Sequence, residues 1–265
     1  MKKFCFILTL LVLFAIWIVG FFIDPNKEFA EEDLYDEIIA RGKIKVGINV
    51  NSRPFGYYLY KDMPAGYDVD LAHYIAWYLL KNYNAVEIIP VTPSDRLIKA
   101  SSGEVDIVIS TVTITPQREE IVSFSIPYEV AGQAILVKKD SQITSMADLA
   151  GIPVGVIFGT TAEKNMQKLA PAAKLIGFKS YDDAFDALKN DKIAAITSDD
   201  SILNGYYMNY YTIVKLLPQR YTREPYGIAF KKGKSTKKLK QNLDYAIKDM
   251  KKNNVLNRLH KRWLI

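Results

Sequence analysis

The chain has 265 residues, of which 49% are hydrophobic and 24% are charged. This composition excludes an intrinsically disordered chain, and the length suits one large domain or two small ones. The formal net charge is +6, with basic residues crowded at 231–240 and 248–262; this pattern indicates a solvated surface and an amphipathic C-terminal helix. No aromatic-interleaved basic motif is present, so no nucleic-acid partner is expected.

The N-terminal segment is predicted to direct export. Lys2 and Lys3 precede an almost unbroken apolar run over 4–23, which is the order of a secretory signal and is long enough to span a bilayer as a helix. No clean small-residue cleavage motif follows, so residues 1–23 are either a signal peptide or a signal anchor. Both place the remaining chain in the periplasm or on the extracellular face of the cell membrane. The single cysteine, Cys5, precedes the apolar core, which argues against lipid attachment and excludes an internal disulfide.

A polar spacer covers 24–39, and strands and helices alternate after it. Hydrophobic periodicity predicts strands at 43–50, 85–91 and 104–110 and helices at 66–84, 94–103 and 116–122. The helix at 66–84 has Asp68 as its predicted N-cap. Its predicted core face is an apolar stripe of Leu71, Tyr74, Ile75, Tyr78 and Leu79.

The same alternation restarts at residue 133. The pattern predicts strands at 133–139, 153–158, 174–178, 192–197, 212–217 and 226–230, helices at 181–191 and 200–209 with another starting at 161, and one long closing helix at 235–263. Alternating strands and helices are typical of an α/β fold with mainly parallel sheets. The total length suits two lobes better than one sheet.

One strand end has an unusual combination of polar side chains. The stretch "STVTITPQR" (110–118) follows the apolar strand at 104–110 and combines four hydroxyl side chains with a helix start and with Arg118. A cation in the first turn of a helix is disfavoured by the helix dipole. In open α/β sheets, ligands bind beyond the carboxyl ends of strands, so the planar guanidinium is predicted to bind a ligand carboxylate.

Two further strand ends carry polar groups. In "GTTAE" (159–163), Thr160 and Glu163 have capping-box spacing, and the exposed N–H groups of that helix start favour an anion; simple helix capping explains this loop equally well. After the strand at 192–197, Asp199 and Asp200 adjoin a helix start. One of them is expected to cap or open the helix, which leaves the other to face a ligand ammonium.

Catalytic chemistry finds little support in the sequence. His73 and His260 both fall within predicted helices far from these strand ends. No metal-ligand spacing, glycine-rich phosphate loop or nucleophile elbow is present. We therefore expect no catalytic residue, no metal and no cofactor.

The segments now described resemble a known family. "GYDVDLAHYIAWYL", "GEVDIVISTVTITPQREEIVSFSIPY", "GIPVGVIFGTT", "YGIAF" and the terminal "KRWL" occur in the order and spacing of the family 3 bacterial solute-binding proteins, the polar amino-acid receptors of ABC importers. The resemblance covers about residues 40–265. It implies an α/β periplasmic-binding-protein fold of type II, with two lobes that close like a flytrap.

The family's connectivity implies two crossover strands, near Val130–Gln133 and Arg223–Tyr226. Lobe 1 would then be discontinuous, comprising 40–130 and 225–265, and lobe 2 would comprise 131–224.

The resemblance also implies site residues. Arg118 matches the arginine that binds the ligand α-carboxylate, and Asp199, rather than Asp200, matches the acid that binds the α-ammonium. Hydroxyl residues of both lobes match further ligand contacts: Ser110, Thr111, Thr113, Thr160 and Thr161.

The predicted side-chain pocket departs from many family members at two positions. Asn49 stands where many carry Asp, and Ser52 where many carry an aromatic residue. The missing carboxylate counts against a cationic ligand side chain. Arg96 resembles an arginine of acidic amino-acid receptors, which favours glutamate or aspartate with Arg96 on the side-chain carboxylate. The alternative for Arg96 is an exposed helix residue.

The resulting hypothesis is a monomeric, non-catalytic receptor that delivers an amino acid to an ABC permease. If residues 1–23 are not cleaved, they attach the receptor to the membrane. Two alternatives remain open: a periplasmic cyclohexadienyl-dehydratase-like enzyme on the same fold, and a membrane-anchored amino-acid sensor domain.

Overall fold

The structure is a computed structural model that describes residues 32–264. The predicted signal segment at 1–23 and the first half of the spacer, 24–31, therefore lie outside the described residues. Within residues 32–264, no helix combines the length and apolar character that crossing a membrane requires.

Helices and strands alternate through most of the described chain. The α-helices are α1 (Leu34–Arg41), α2 (Tyr67–Leu80), α3 (Arg96–Ser102), α4 (Pro116–Glu119), α5 (Thr161–Leu169), α6 (Tyr181–Lys189), α7 (Asp200–Tyr210), α8 (Lys237–Lys252) and α9 (Val255–Trp263). The strands are β1 (Ile44–Ile48), β2 (Asn51–Ser52), β3 (Gly56–Tyr60), β4 (Met63–Ala65), β5 (Val86–Pro90), β6 (Ile107–Val108), β7 (Val122–Phe124), β8 (Glu129–Ala131), β9 (Gln133–Lys138), β10 (Pro153–Ile157), β11 (Lys174–Phe178), β12 (Ala195–Asp199), β13 (Val214–Leu216), β14 (Glu224–Tyr226) and β15 (Ala229–Lys231).

Two five-stranded sheets organise the chain. The first has the order β5-β1-β6-β15-β7 and the second β11-β10-β12-β9-β13. We call the parts of the chain built on them the first lobe and the second lobe. A short antiparallel ladder between β8 and β14 joins the segments that run between the two sheets.

Four of the five strands in each sheet run in the same direction, so the prediction of mainly parallel sheets is correct except at one strand in each sheet. β1 is parallel to β5 and β6, and β10 is parallel to β11 and β12. β15 and β9, however, are antiparallel to their neighbours. These two strands follow directly on β14 and β8 without a helical crossover, and a parallel connection requires such a crossover.

Helix α2 supplies much of the first-lobe core. Leu71, Ile75 and Leu79 of the predicted apolar face are buried, as the 3.6-residue period requires. The predicted N-cap is wrong: the N-cap position is Gly66, and Asp68 lies in the first turn with 1% of its surface exposed. The reason is tertiary, because the Asp68 carboxylate accepts hydrogen bonds from the loop at 111 and from a tyrosine at 128.

The C-terminal region forms two helices where the sequence predicts one. α8 ends at Lys252 and α9 begins at Val255. Between them Asn254 adopts a left-handed conformation with φ 56°, which asparagine tolerates better than most residues and which ends a right-handed helix. Both helices keep the amphipathic pattern that the sequence predicts.

Other differences concern element ends, one missed hairpin and one missed strand: the helix predicted at 116–122 ends at Glu119, and β7 begins at Val122. The apolar stretch predicted as a strand at 104–110 pairs only over β6, and the predicted strand at 192–197 is displaced to β12. The small sheet of β2, β3 and β4 has no counterpart in the prediction. It lies in the aromatic segment at 51–65, where much of β3 is solvent-exposed and burial therefore imposes little alternation.

Candidate functional site

The loop at 110–118 is held in place by its own hydrogen bonds. Thr111 has φ 46°, in the left-handed region that residues other than glycine rarely adopt. Its N–H donates to the Asp68 carboxylate at 3.2 Å. The Thr115 hydroxyl accepts from the backbone N–H of Arg118 at 3.3 Å and caps α4, so the predicted helix start is confirmed.

Arg118 folds back onto this loop. Its Nη1 donates to the Thr113 carbonyl at 2.8 Å and its Nη2 to the Gly159 carbonyl at 3.2 Å. Only 9% of the residue is exposed. Burial, with repulsion from Arg96 second, lowers the pKa of Arg118 to about 10. Because α4 has only four residues, two carbonyl oxygens, rather than a helix dipole, decide where the guanidinium points.

The two lobes approach closely beside Arg118. Gly159 has φ 77°, and a Cβ atom added to it would lie 2.6 Å from the carbonyl oxygen of Pro93 in the first lobe. Small-molecule sites typically have volumes of about 300–1,000 Å³. A pocket of ≈ 660 Å³ lies at this junction and is lined by residues that include Arg118, Thr160 and Thr161.

Arg96 is buried, so the interpretation of it as an exposed helix residue is wrong. It begins α3 and is 3% exposed. Its Nη1 donates to the carbonyl of Ser110 and, at 3.5 Å, to that of Thr111. Its Nε has no hydrogen-bond partner among the described residues. Burial lowers the pKa of Arg96, because removing a cation from water disfavours its charged form.

The second-lobe hydroxyls are engaged within the protein. Thr160 occupies the N-cap position of α5, but its hydroxyl donates to the Ile157 carbonyl at 2.8 Å and does not cap the helix. The capping box predicted for Thr160 and Glu163 is therefore absent. The Thr161 hydroxyl donates to the carboxylate of Glu224 on β14 at 3.0 Å.

Asp199 and Asp200 have separate surroundings. Asp199 ends β12, is 7% exposed and accepts a hydrogen bond of 2.5 Å from the hydroxyl of Tyr226. Burial raises the pKa of Asp199 to about 7. Asp200 accepts from the N–H of Gly132 at 3.0 Å and forms an ion pair with Arg220. Asp200 thus ties α7 to neighbouring backbone, which leaves Asp199 as the carboxylate whose charge raises the pKa values of Arg96 and Arg118.

Asn49 lies near the same loop, but its side chain serves a local turn. Its Oδ1 accepts from the N–H of Asn51 at 3.0 Å, and its own N–H donates to the Ser110 hydroxyl at 3.3 Å. Ser52 is also buried, and its hydroxyl has no partner among the described residues.

Several polar residues near the site were not predicted from the sequence as site residues: Asp68, Tyr128, Tyr181, Glu224 and Tyr226. The hydroxyl of Tyr128 donates to Asp68 at 3.1 Å, and burial raises the pKa of Asp68 to about 7. Tyr128 immediately precedes β8, and Tyr226 ends β14. The family-like segments that end in "SIPY" and begin with "YGIAF" contain these two tyrosines, and they were the sequence signal that could have identified them as site residues.

The structure brings the main predicted charges into one electrostatic neighbourhood. The charges of Arg96 and Asp199 both shift the pKa of Arg118, in opposite directions. Ser110, Thr111 and Thr113 supply the carbonyl groups that orient the two arginines. Such a cluster can bind a small molecule that carries both carboxylate and ammonium groups. No cluster of His, Cys, Asp or Glu suited to a metal ion occurs within residues 32–264.

Comparison with known proteins agrees with this architecture. The ABC transporter glutamine-binding protein of Bacillus subtilis (strain 168) is 34% identical to this chain, over 100% of the chain and 98% of its own length. A glutamine-binding protein of Geobacillus stearothermophilus is 37% identical, over 73% of this chain and 74% of its own length.

A solved structure shows the same fold. An ancestral amino acid-binding protein, described as a precursor of cyclohexadienyl dehydratase, superposes with a TM-score of 0.80 at 33% sequence identity, covering 88% of this chain and 100% of its own. The sequence profile of the bacterial extracellular solute-binding proteins, family 3, matches residues 44–265. The chain therefore belongs to the bacterial extracellular solute-binding proteins of family 3 and has their two-lobed α/β periplasmic-binding-protein fold.

Proposed function

We propose that this protein captures glutamate or aspartate between its two lobes and delivers it to an ABC permease. The observation that carries the choice of ligand is Arg96, a buried guanidinium that forms no ion pair within residues 32–264. A buried charge without a counter-charge is costly. An acidic ligand side chain would supply that counter-charge.

The ligand's two backbone groups have separate partners in this proposal. Arg118 binds the α-carboxylate, supported by its burial and its fixed orientation towards the Thr113 carbonyl. Asp199 binds the α-ammonium, with Tyr226 holding the carboxylate in place. The side-chain carboxylate then meets Arg96. Ser110, Thr111, Thr160, Thr161 and Asn49 complete the proposed ligand-binding set.

Closure of the lobes would bury these contacts and present one shape to the permease. For the lobes we propose the division into 40–130 with 225–265 and 131–224, and the ladder of β8 and β14 supports a hinge at the two crossings. We further propose that residues 1–23 export the protein, as the family's extracellular character supports. The mass of the mature protein distinguishes the two: a cleaved signal shortens the chain, whereas a retained anchor leaves it at full length.

Glutamine is a second candidate, because two relatives that match most of the chain are named as glutamine-binding proteins. A glutamine carboxamide could accept a hydrogen bond from Arg96, but it would leave the guanidinium charge uncompensated. The relatives' names also favour binding over catalysis. The related precursor of a dehydratase is itself described as amino acid-binding, so turnover of prephenate or arogenate by this protein is not expected.

A thermal-shift screen of the twenty amino acids, followed by calorimetry, tests the proposal. At 100 times its Kd, a ligand stabilises the folded state by about 2.7 kcal/mol, which is a clear rise in melting temperature. The proposal requires saturable binding of glutamate or aspartate in preference to glutamine. Preference for glutamine would overturn the acidic ligand but retain the receptor role, and binding of no amino acid would overturn both.

A further inference from the structure

The basic residues of the chain are concentrated near its C-terminus. Residues 231–262 hold twelve Lys or Arg and two acidic residues, out of 35 basic and 29 acidic residues in the whole chain. The other residues therefore hold 23 basic and 27 acidic side chains. The positive net charge of the protein thus comes from this one segment.

Helix α8 presents much of this charge to solvent. Its buried side is apolar and consists of Leu239, Leu243, Ala246, Ile247 and Met250. The opposite side, which we call the basic face, holds the exposed residues Lys237, Lys240, Gln241, Tyr245, Lys248, Lys251 and Lys252. Tyr245 is 63% exposed in the midst of these lysines.

Few acidic groups neutralise the basic face. Asp244 pairs with Lys240 at 2.8 Å, and Asp249 accepts a hydrogen bond from the hydroxyl of Tyr78 instead of facing a lysine. Within residues 32–264, Lys237, Lys248 and Lys252 form no ion pair. The face is therefore an exposed positive surface with an aromatic residue near its centre.

The position at which the chain enters the described structure adds a second observation. The Asp33 carboxylate accepts from the backbone N–H of Lys238 at 2.8 Å and of Leu239 at 3.3 Å, so residue 33 lies at the start of α8. The apolar run at 4–23 precedes it along the chain. The connection over 24–33 reaches at most about 35 Å when fully extended.

We propose that the basic face of α8 docks on a membrane surface that contains anionic phospholipid. Lysines near such a surface are attracted to its negative potential, and an exposed tyrosine suits the boundary between water and lipid. α8 packs on α1 and α2 of the first lobe. Docking through α8 holds the first lobe at the membrane and leaves the second lobe able to move during closure.

A depth-sensitive label on the basic face tests this proposal in the full chain. The chain has one cysteine, so Cys5→Ser with Gln241→Cys accepts a fluorophore at a single exposed site. Vesicles of phosphatidylcholine are compared with vesicles that also contain phosphatidylglycerol, both with brominated acyl chains that quench the label. Quenching is expected only with phosphatidylglycerol, and it should disappear in 0.5 M salt because the charges are then screened within about 4 Å.

Charge-reversal variants separate docking from simple tethering by the apolar segment. Lys237→Glu, Lys248→Glu and Lys252→Glu together should lower phosphatidylglycerol-dependent quenching at least about tenfold. The matched control reverses three exposed second-lobe lysines, at 174, 179 and 192, and should keep it. Both variants should bind amino acid as the parent does. Equal quenching in the two vesicle types, or no quenching in either, would overturn the proposal. Binding of another polyanion, such as DNA, would not rescue it.

Discussion

The two halves of the candidate site differ in how their polar groups are engaged. In the first lobe, Arg96 and Arg118 are almost fully buried and donate to backbone carbonyls without forming an ion pair within residues 32–264. In the second lobe, the hydroxyls of Thr160 and Thr161 already donate to groups of the protein. We infer that the first lobe supplies charge that is oriented before ligand binds, whereas the second-lobe hydroxyls mainly maintain their own loop. Substitutions at the two first-lobe arginines should therefore weaken binding more than substitutions at the second-lobe hydroxyls.

The largest effect is expected at Arg118. Arg118→Ala should weaken amino-acid binding about 1000-fold, roughly 4 kcal/mol, because it removes the proposed partner of the α-carboxylate from a buried site. Calorimetry measures the affinity, and circular dichroism checks the fold. Arg258→Ala is the matched control, since Arg258 is exposed on α9 and away from the site and the crossings, and should bind as the parent does. If the affinity of Arg118→Ala for the amino acid were within threefold of the parent's, Arg118 would not be the partner of the α-carboxylate.

Acidification should produce the next largest effect. Burial raises the pKa of Asp199 to about 7, and a ligand ammonium stabilises its ionised form, so binding releases a proton below that pH. Affinity should fall by roughly tenfold for each pH unit below 7. Asp199→Asn should bind weakly at every pH and lose this dependence. Asp68→Asn is the control, since the pKa of Asp68 is also raised to about 7; if the dependence vanished there instead, Asp68 would be the titrating group.

Glu224 offers a smaller and more specific test. Its charge raises the pKa of Asp199, after the larger effect of burial. Glu224→Gln should therefore move the pH midpoint of binding downward, by less than about one unit. Thr161→Val removes the hydrogen bond to Glu224 without removing the charge, and should leave the midpoint in place. An upward movement in Glu224→Gln would contradict the proposed electrostatics.

The second-lobe hydroxyls should show the smallest effects. Thr160→Ala removes a hydroxyl that donates to Ile157, so affinity should fall by less than about fivefold, in the range of one ordinary hydrogen bond. The same calorimetric titration measures it. A loss at Thr160 as large as that at Arg118 would show that a second-lobe hydroxyl contributes as much as a first-lobe arginine, and would contradict the contrast between them.

The fold was largely predictable because its signals are local. The apolar face of α2 and the capped start of α4 follow from spacing within a single turn or two. The resemblance over residues 40–265 supplied the two lobes, which periodicity alone could not assign. The reversed direction of β9 and β15 was not predictable from the order of elements, because these two strands enter their sheets from the crossing segments.

The surroundings of the site depended on contacts distant in sequence. Local sequence predicted Asp68 as an N-cap, but in the structure its carboxylate accepts hydrogen bonds from the Thr111 N–H and the Tyr128 hydroxyl. Thr160 has capping-box spacing, but its hydroxyl donates a hydrogen bond to the carbonyl of Ile157 instead of capping the helix. Arg96 could have been exposed from its helical pattern alone, and only tertiary packing buried it. Each of these outcomes was decided by a partner that no local pattern contains.

The ratio of glutamate to glutamine affinity in the parent and in Arg96→Met tests the central claim most directly. If the first lobe holds a carboxylate at each of its two buried arginines, the parent should prefer glutamate by at least about 100-fold, the worth of a buried charge pair. Arg96→Met should abolish that preference while still binding glutamine, and Arg96→Lys should retain part of it. A parent that binds glutamine as tightly as glutamate, or an Arg96→Met protein that keeps the preference, would contradict the claim.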